Sequence, residues 1–331
     1  MILKIFKYSP DRKSGFWHGR RRSILKHILS IIVSLSIIVF VYSKIDVSNL
    51  LHLLLKPDMP SMASFFLMFL PIIFVKTFRW HIIALSNYKA GFYENFKYSM
   101  ASNFWNLIIP SKLGDTVKVY YLVKDNMTGI INAVDLVMAE KICDILSLCV
   151  LTIFFASVYN KHFEFIAILN VVAFLPLVLY LALVIFNLYG NASNKTASYI
   201  KKIPLGISVF QKMRDNKKLP MIIGLSLLLW FFHLTQFLFI FRAMNSHMDA
   251  GTIYLLLPIV IFAGLIPITI AGVGTREAAL LTIFNGMESP AVLIAVGALA
   301  ILRYLIPPLL GLPFVFMLNS ERNRTQMSAL K

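Results

Sequence analysis

Cysteine and acidic residues are both scarce in this chain. Its two cysteines, Cys143 and Cys149, are six positions apart and do not share a helix face, so neither a disulfide nor a metal site is expected. The 7 histidines are scattered without metal-ligand spacing. Charged residues make up 14% of the 331 positions and hydrophobic ones 58%, with a mean hydropathy of +0.76. A soluble domain of this size needs more polar surface, so lipid must cover much of the outside. No polar stretch between apolar runs is long enough to enclose its own core. Enzyme signatures are missing too. Gly272-Val273-Gly274 lacks the rest of a dinucleotide fingerprint, and there is no nucleophile elbow or metal-binding helix. No catalytic residue, cofactor or metal is expected.

What is abundant is positive charge: 32 Lys+Arg against 15 Asp+Glu, a formal +17. Its distribution excludes nucleic acid as the expected partner. The basic residues gather in the first 26 positions, between Lys195 and Lys218, and near the C-terminus, each time flanking apolar spans. Loops retained in the cytoplasm against anionic headgroups have this pattern. The expected class is therefore all-α, a polytopic protein of the inner (plasma) membrane with both termini in the cytoplasm.

Residues 1–23 read as a basic cytoplasmic tail, followed by a membrane domain over 24–318 and a second tail over 319–331. The first span, Ile24–Tyr42, is too long and uniformly apolar for a signal-peptide core and is expected to be retained. Further spans are predicted at Pro60–Trp80, Val134–Tyr159, Phe163–Tyr189, Met221–Phe241 and Ala291–Leu318, with a basic cytoplasmic loop over 190–219. Lys76 and Arg79 beside Trp80 read as ordinary interfacial anchors.

Two segments do not fit whole spans. Asn87–Met100 is amphipathic, and Ala101–Ile109 is apolar but about half the required length. It stops at Pro110 to Asp115, with Gly114 in the break, and Thr116–Val123 resumes. Thr252–Ile266 is interrupted from Pro267 to Glu277, with Gly272 and Gly274 in the break, and Ala278–Phe284 follows. If both are re-entrant hairpins entering from opposite sides, every basic loop falls in the cytoplasm. The result is six full spans and two hairpins in an inverted repeat.

Paired broken segments in corresponding halves point to a transporter's substrate site. The half-helices starting near Asp115 and Thr275 would aim free N–H groups at a cavity, favouring anions such as phosphate. Lys112, Asp115, Lys118, Arg276, Glu277 and Arg303 are the candidate substrate-binding residues. Arg303 falls about twelve residues into the last span, where an arginine costs roughly 2.5 kcal/mol or more. Its candidate partners are Glu277, Glu140 and Asp144, and a structural pair with Glu277 competes with substrate contact. Glu140 and Asp144 share a helix face and are candidates for proton coupling, although salt bridges to Lys141 or to neighbouring spans are the preferred reading. His233, with Gln236 near it, is a third candidate for proton relay, or simply bonds a neighbouring helix.

The ordered set Arg79-Trp80, Asn106, Pro110, Gly114-Asp115, Lys118, Glu140 and Asp144 resembles the first half of a known membrane domain. The run Pro267, Gly272-Val273-Gly274-Thr275-Arg276-Glu277-Ala278, with Arg303 and Gly311, resembles its second half. The family is the flippase-like, lysylphosphatidylglycerol-synthase transmembrane domain. The resemblance implies a multi-pass fold with re-entrant elements and movement of lipids or lipid-linked molecules between leaflets. The aminoacyl-transfer domain of two-part members is expected to be absent, since thirteen residues follow Leu318, and lipid aminoacylation is not expected. The leading expectation is a translocase for lipids with an anionic or phosphate-bearing head. The alternatives are a membrane scaffold for a lipid-modifying enzyme such as a glycosyltransferase, and an enzyme acting at Asp115 and Glu140.

Overall fold

The computed structural model describes residues 53–109, 114–159, 206–264 and 274–329, with side chains to Glu321. The described residues form ten helices and no strand. In chain order they are α1 (Met59–Leu67), α2 (Phe69–Ala84), α3 (Phe92–Ile108), α4 (Val117–Lys124), α5 (Ile130–Tyr159), α6 (Ile207–Asp215), α7 (Leu219–Ala243), α8 (Ala250–Ala263), α9 (Thr275–Ile283) and α10 (Pro290–Ala329). The protein is an all-α integral membrane protein. Among the described residues, four helical stretches are long and apolar enough to cross a bilayer: Met59–Ala84, Ile130–Tyr159, Leu219–Ala243 and Pro290–Glu321. The predicted spans over 24–42 and 163–189 lie outside the described residues, as do Pro110, Lys112, Pro267 and Gly272.

Local chemistry sets several helix starts. Asp58 accepts the Ser61 N–H at 3.1 Å to begin α1, and Asp249 accepts the Thr252 N–H at 2.8 Å to begin α8. At α9 the Glu277 carboxylate reaches back to the Gly274 N–H at 2.5 Å, satisfying a donor that the helix leaves unpaired. Asp135 on α5 accepts from the Gly206 N–H and the Ser208 hydroxyl, which ties the start of α6 to α5.

The first broken segment is a hairpin. Tyr98 donates to Asp125 at 2.8 Å, and Asn106 donates to Asp115 at 3.2 Å. Early residues of α3 thus meet late residues of α4, an antiparallel return. The apolar piece expected over Ala101–Ile109 is, however, only the end of the longer α3, which absorbs most of the amphipathic stretch before it. Asn95, Lys97, Ser99, Ser102 and Asn103 are buried. An apolar window misses such a helix because its polar side faces the protein. In the second broken segment α9 packs back on α8, and the Arg276 guanidinium lies against Gly264 at the end of α8.

Two apolar cores flank the middle of the protein. One gathers Trp80, Ile83, Tyr98, Tyr121, Leu122, Leu136 and Ile222. The other gathers Leu234, Phe237, Phe241, Ile253, Leu257, Val260 and Leu293. Helix α7 contributes to both. Meanwhile Phe74 is 60% and Phe316 66% exposed, an inversion that suits hydrocarbon as the outer solvent.

Helices α3 and α10 approach closely because Gly311 has no side chain. A Cβ there would stand 2.2 Å from the Met100 carbonyl oxygen and 3.0 Å from the Phe104 nitrogen. Alanine would gain roughly 1 kcal/mol in helix propensity, but the obstruction is backbone and cannot rotate away. We expect Gly311→Leu to destabilise the protein by at least about 1–3 kcal/mol, read as earlier melting in detergent. An unchanged midpoint would show that this contact is dispensable.

Candidate functional site

Charged side chains meet inside the first half of the fold. From α2 come Lys76 and Arg79, one turn apart on one face. From α5 come Glu140, Lys141 and Asp144. Asp115 immediately precedes α4, and Lys118 lies on its first turn. Lys118 and Glu140 are fully buried and paired at 2.7 Å, and Lys118 also lies 4.2 Å from the Trp80 ring centroid. Arg79 reaches Asp144 at 2.7 Å and Glu140 at 3.5 Å, with Ser226 of α7 as a further acceptor at 3.1 Å. Asp115 pairs with Lys141 and has Lys76 and Lys118 at 3.6 and 3.8 Å. It also accepts from Ser102 at 3.0 Å and Asn106 at 3.2 Å. Gly114 lets this turn lie on α3, since a Cβ would fall 2.2 Å from the Asn106 nitrogen.

The second half holds a different arrangement. Arg303 is buried on α10, with Nε donating to Gln236 Oε1 at 2.7 Å and Nη2 meeting His233 Nδ1 at 2.8 Å. A guanidinium has no acceptor, so that ring nitrogen accepts and His233 is neutral here. The Arg303 guanidinium also lies 3.9 Å from the Phe237 ring centroid. Arg276 of α9 lies 3.9 Å from the Tyr304 ring centroid, and Arg303 stands 6.0 Å from that same ring. Two buried arginines thus share one tyrosine. Arg303 has no carboxylate partner among the described residues.

One stripe of α7 joins the two clusters. Ser226 accepts from Arg79, Trp230 donates to Asp144 at 3.0 Å, and His233 and Gln236 hold Arg303. These positions recur at three- and four-residue intervals, the spacing of one helix face. The Trp230 and His233 rings lie 5.3 Å apart where the clusters meet.

Most of the sequence candidates fall in these clusters, and two readings need correction. Arg303 is paired with none of Glu277, Glu140 or Asp144. Glu277 is committed to the Gly274 N–H, while Glu140 and Asp144 are committed to Arg79, Lys118 and Lys141. Lys76 and Arg79 are not interfacial anchors: Arg79 is 1% exposed and paired with two carboxylates. The overlooked signal was that apolar residues continue beyond Arg79 through Ile82, Ile83 and Ala84, so the helix does not end at the arginine. For Glu140 and Asp144, the preferred salt-bridge reading agrees with the geometry. Ser102, Ser226, Trp230 and Tyr304 carried no sequence signal, because only packing brings them to the charges.

The profile described as the lysylphosphatidylglycerol synthase TM region matches residues 27–311. No curated protein and no solved structure matches the chain.

Removing one member of a buried ion pair strands the other. We expect Lys118→Met to cost about 3–5 kcal/mol. Adding Glu140→Leu should return part of that loss, because the uncompensated carboxylate goes with it. Thermal or denaturant melting of the two single variants and the double in detergent completes the cycle. Strict additivity would mean the pair is not coupled.

Proposed function

The chain belongs to the lysylphosphatidylglycerol synthase transmembrane-region family, whose membrane domains are associated with lipid metabolism or transport, and from that premise we propose that it is a lipid translocase. The substrate is a phospholipid or lipid-linked molecule with an anionic or phosphate-bearing head, which the protein moves between leaflets without altering it chemically. The observation that carries this reading is Arg303. A buried guanidinium held by neutral Gln236 and neutral His233 has no carboxylate against it among the described residues, at a cost of several kcal/mol in a low-dielectric interior. An anionic headgroup supplies the missing charge, and Arg276, which packs on the same Tyr304 ring, places a second guanidinium near it. The acyl or prenyl chains stay in the bilayer, beside the exposed apolar residues of α2 and α10.

Charge placement supports an inner-membrane protein with cytoplasmic termini, because the basic segments then face anionic lipid. The sequence carries no nucleotide-binding motif, so a gradient or mass action drives the movement, with His233, Glu140 and Asp144 as the groups available for proton coupling. A scaffold for a lipid-modifying enzyme would be indifferent to Arg303, which makes the same variants discriminating.

In liposomes holding the purified protein, Arg303→Gln and Arg276→Gln should lower leaflet-resolved movement of an anionic lipid at least about tenfold, the effect of losing roughly 1.4 kcal/mol of headgroup binding. Abundance and membrane insertion should stay at parental levels. Movement at the parental rate in both variants overturns the reading.

A further inference from the structure

The charge cluster of the first half does not balance. Among the described residues, Lys76, Arg79, Lys118 and Lys141 face Asp115, Glu140 and Asp144, four cations to three carboxylates. Glu140 and Asp144 serve Arg79 and Lys118 directly. Asp115 is held differently. Its Oδ1 has Ser102 Oγ at 3.0 Å, Asn106 Nδ2 at 3.2 Å, Lys76 Nζ at 3.6 Å and Lys118 Nζ at 3.8 Å, while Oδ2 takes Lys141. Four donors converge on one oxygen that has two lone pairs. The two ammoniums therefore stand beyond hydrogen-bond reach of the oxygen they surround. Lys76 donates instead to Asn103 Oδ1 at 2.5 Å and Lys118 to Glu140 at 2.7 Å, yet the positive charge gathered around Asp115 exceeds what one carboxylate balances.

We propose that this cage is a second anion site, built for a phosphomonoester, and that Asp115 is the resident counter-ion with which the phosphate competes. Without the Asp115 charge, four cations face two carboxylates. That excess of two matches a phosphomonoester, which carries about −1.5 to −2 at neutral pH and presents three strong acceptor oxygens. The five donor groups around Asp115 are then shared among three acceptor oxygens in place of two. The cage also has a closed floor and an open lip. The Lys118 side chain is 0% exposed, while those of Lys76 and Lys141 are 20% and 33% exposed. A phosphate arriving from outside meets the two lip lysines first. The site is separate from the arginine pair, and the Trp230–His233 stripe of α7 runs between them. It rests on the reading of the protein as a handler of anionic lipid heads only in its choice of phosphate.

The test uses the full chain in a neutral detergent, with thermal melting followed in phosphate or in chloride at equal ionic strength. Asp115→Asn should melt earlier than the parent in chloride. In inorganic phosphate it should rise by about 5 °C, the stabilisation given by a ligand near a hundred times its Kd, while the parent rises far less. That rise should persist in Asp115→Asn/Arg303→Gln, which separates this cage from the arginine site. It should be lost in Asp115→Asn/Lys141→Gln. Repeating the melt in nanodiscs of phosphatidylcholine with or without phosphatidic acid distinguishes a lipid-borne phosphomonoester from the free ion. A phosphate shift equal in parent and Asp115→Asn overturns the proposal, as does a shift that disappears with Arg303. Asp115→Ser is the companion variant. If neither variant can be obtained folded even when purified in phosphate throughout, then no anion replaces the carboxylate and the proposal fails.

Discussion

A charge placed inside a membrane protein has no bulk water to return to, so every ionised group on an inward face must be met by another group of the protein or by a ligand. The arrangement of helices α2, α4, α5, α7 and α10 follows from that demand. In the first half most of the demand is met internally, by three carboxylates on α5 and before α4 set against four cations on α2, α4 and α5. In the second half the described residues that meet Arg303 are uncharged, Gln236 and His233 with the Phe237 and Tyr304 rings. The two halves thus share a layout of broken helices but differ in how their charges are compensated.

Helix α7 makes this difference consequential. Its N-terminal part belongs to one apolar core through Ile222, and its C-terminal part belongs to the other through Leu234, Phe237 and Phe241. Between them runs the polar stripe from Ser226 to Gln236, touching Arg79, Asp144 and Arg303 in turn. A displacement of α7 cannot alter one charge cluster without being felt at the other, because the same rigid face carries the contacts of both. For a protein of a lipid-handling family, this gives two chemically distinct charge clusters a mechanical connection.

Much of the fold was legible because the forces that set it act along the chain. Long apolar runs and the Pro/Gly breaks are local, and the observed helices follow them within a few residues. The hairpin at Asp115 was legible as well, although its first arm was read too short. Helix α3 turns its polar side inward, and hydropathy weighs polarity without direction. The candidate site was legible only in part. Arg303, Arg276, Lys118, Glu140 and Asp144 stand out as charges in apolar surroundings, whereas Lys76 and Arg79 resembled the ordinary end of a span.

The sequence by itself determined that this protein lives in a membrane as a bundle of helices and that its breaks fall near Asp115 and Thr275. Composition and periodicity are sufficient for that, since the cost of exposing backbone or charge to lipid is paid residue by residue. Only the tertiary structure decided which charges meet. Arg303 went to Gln236 and His233 instead of to a carboxylate because α7 is the helix that packing sets against its face of α10. Asp115 was surrounded by three lysines because α2, α4 and α5 converge there. Pairing depends on distances between helices far apart in the chain, and those distances are set by packing, such as the close approach at Gly114 and Gly311.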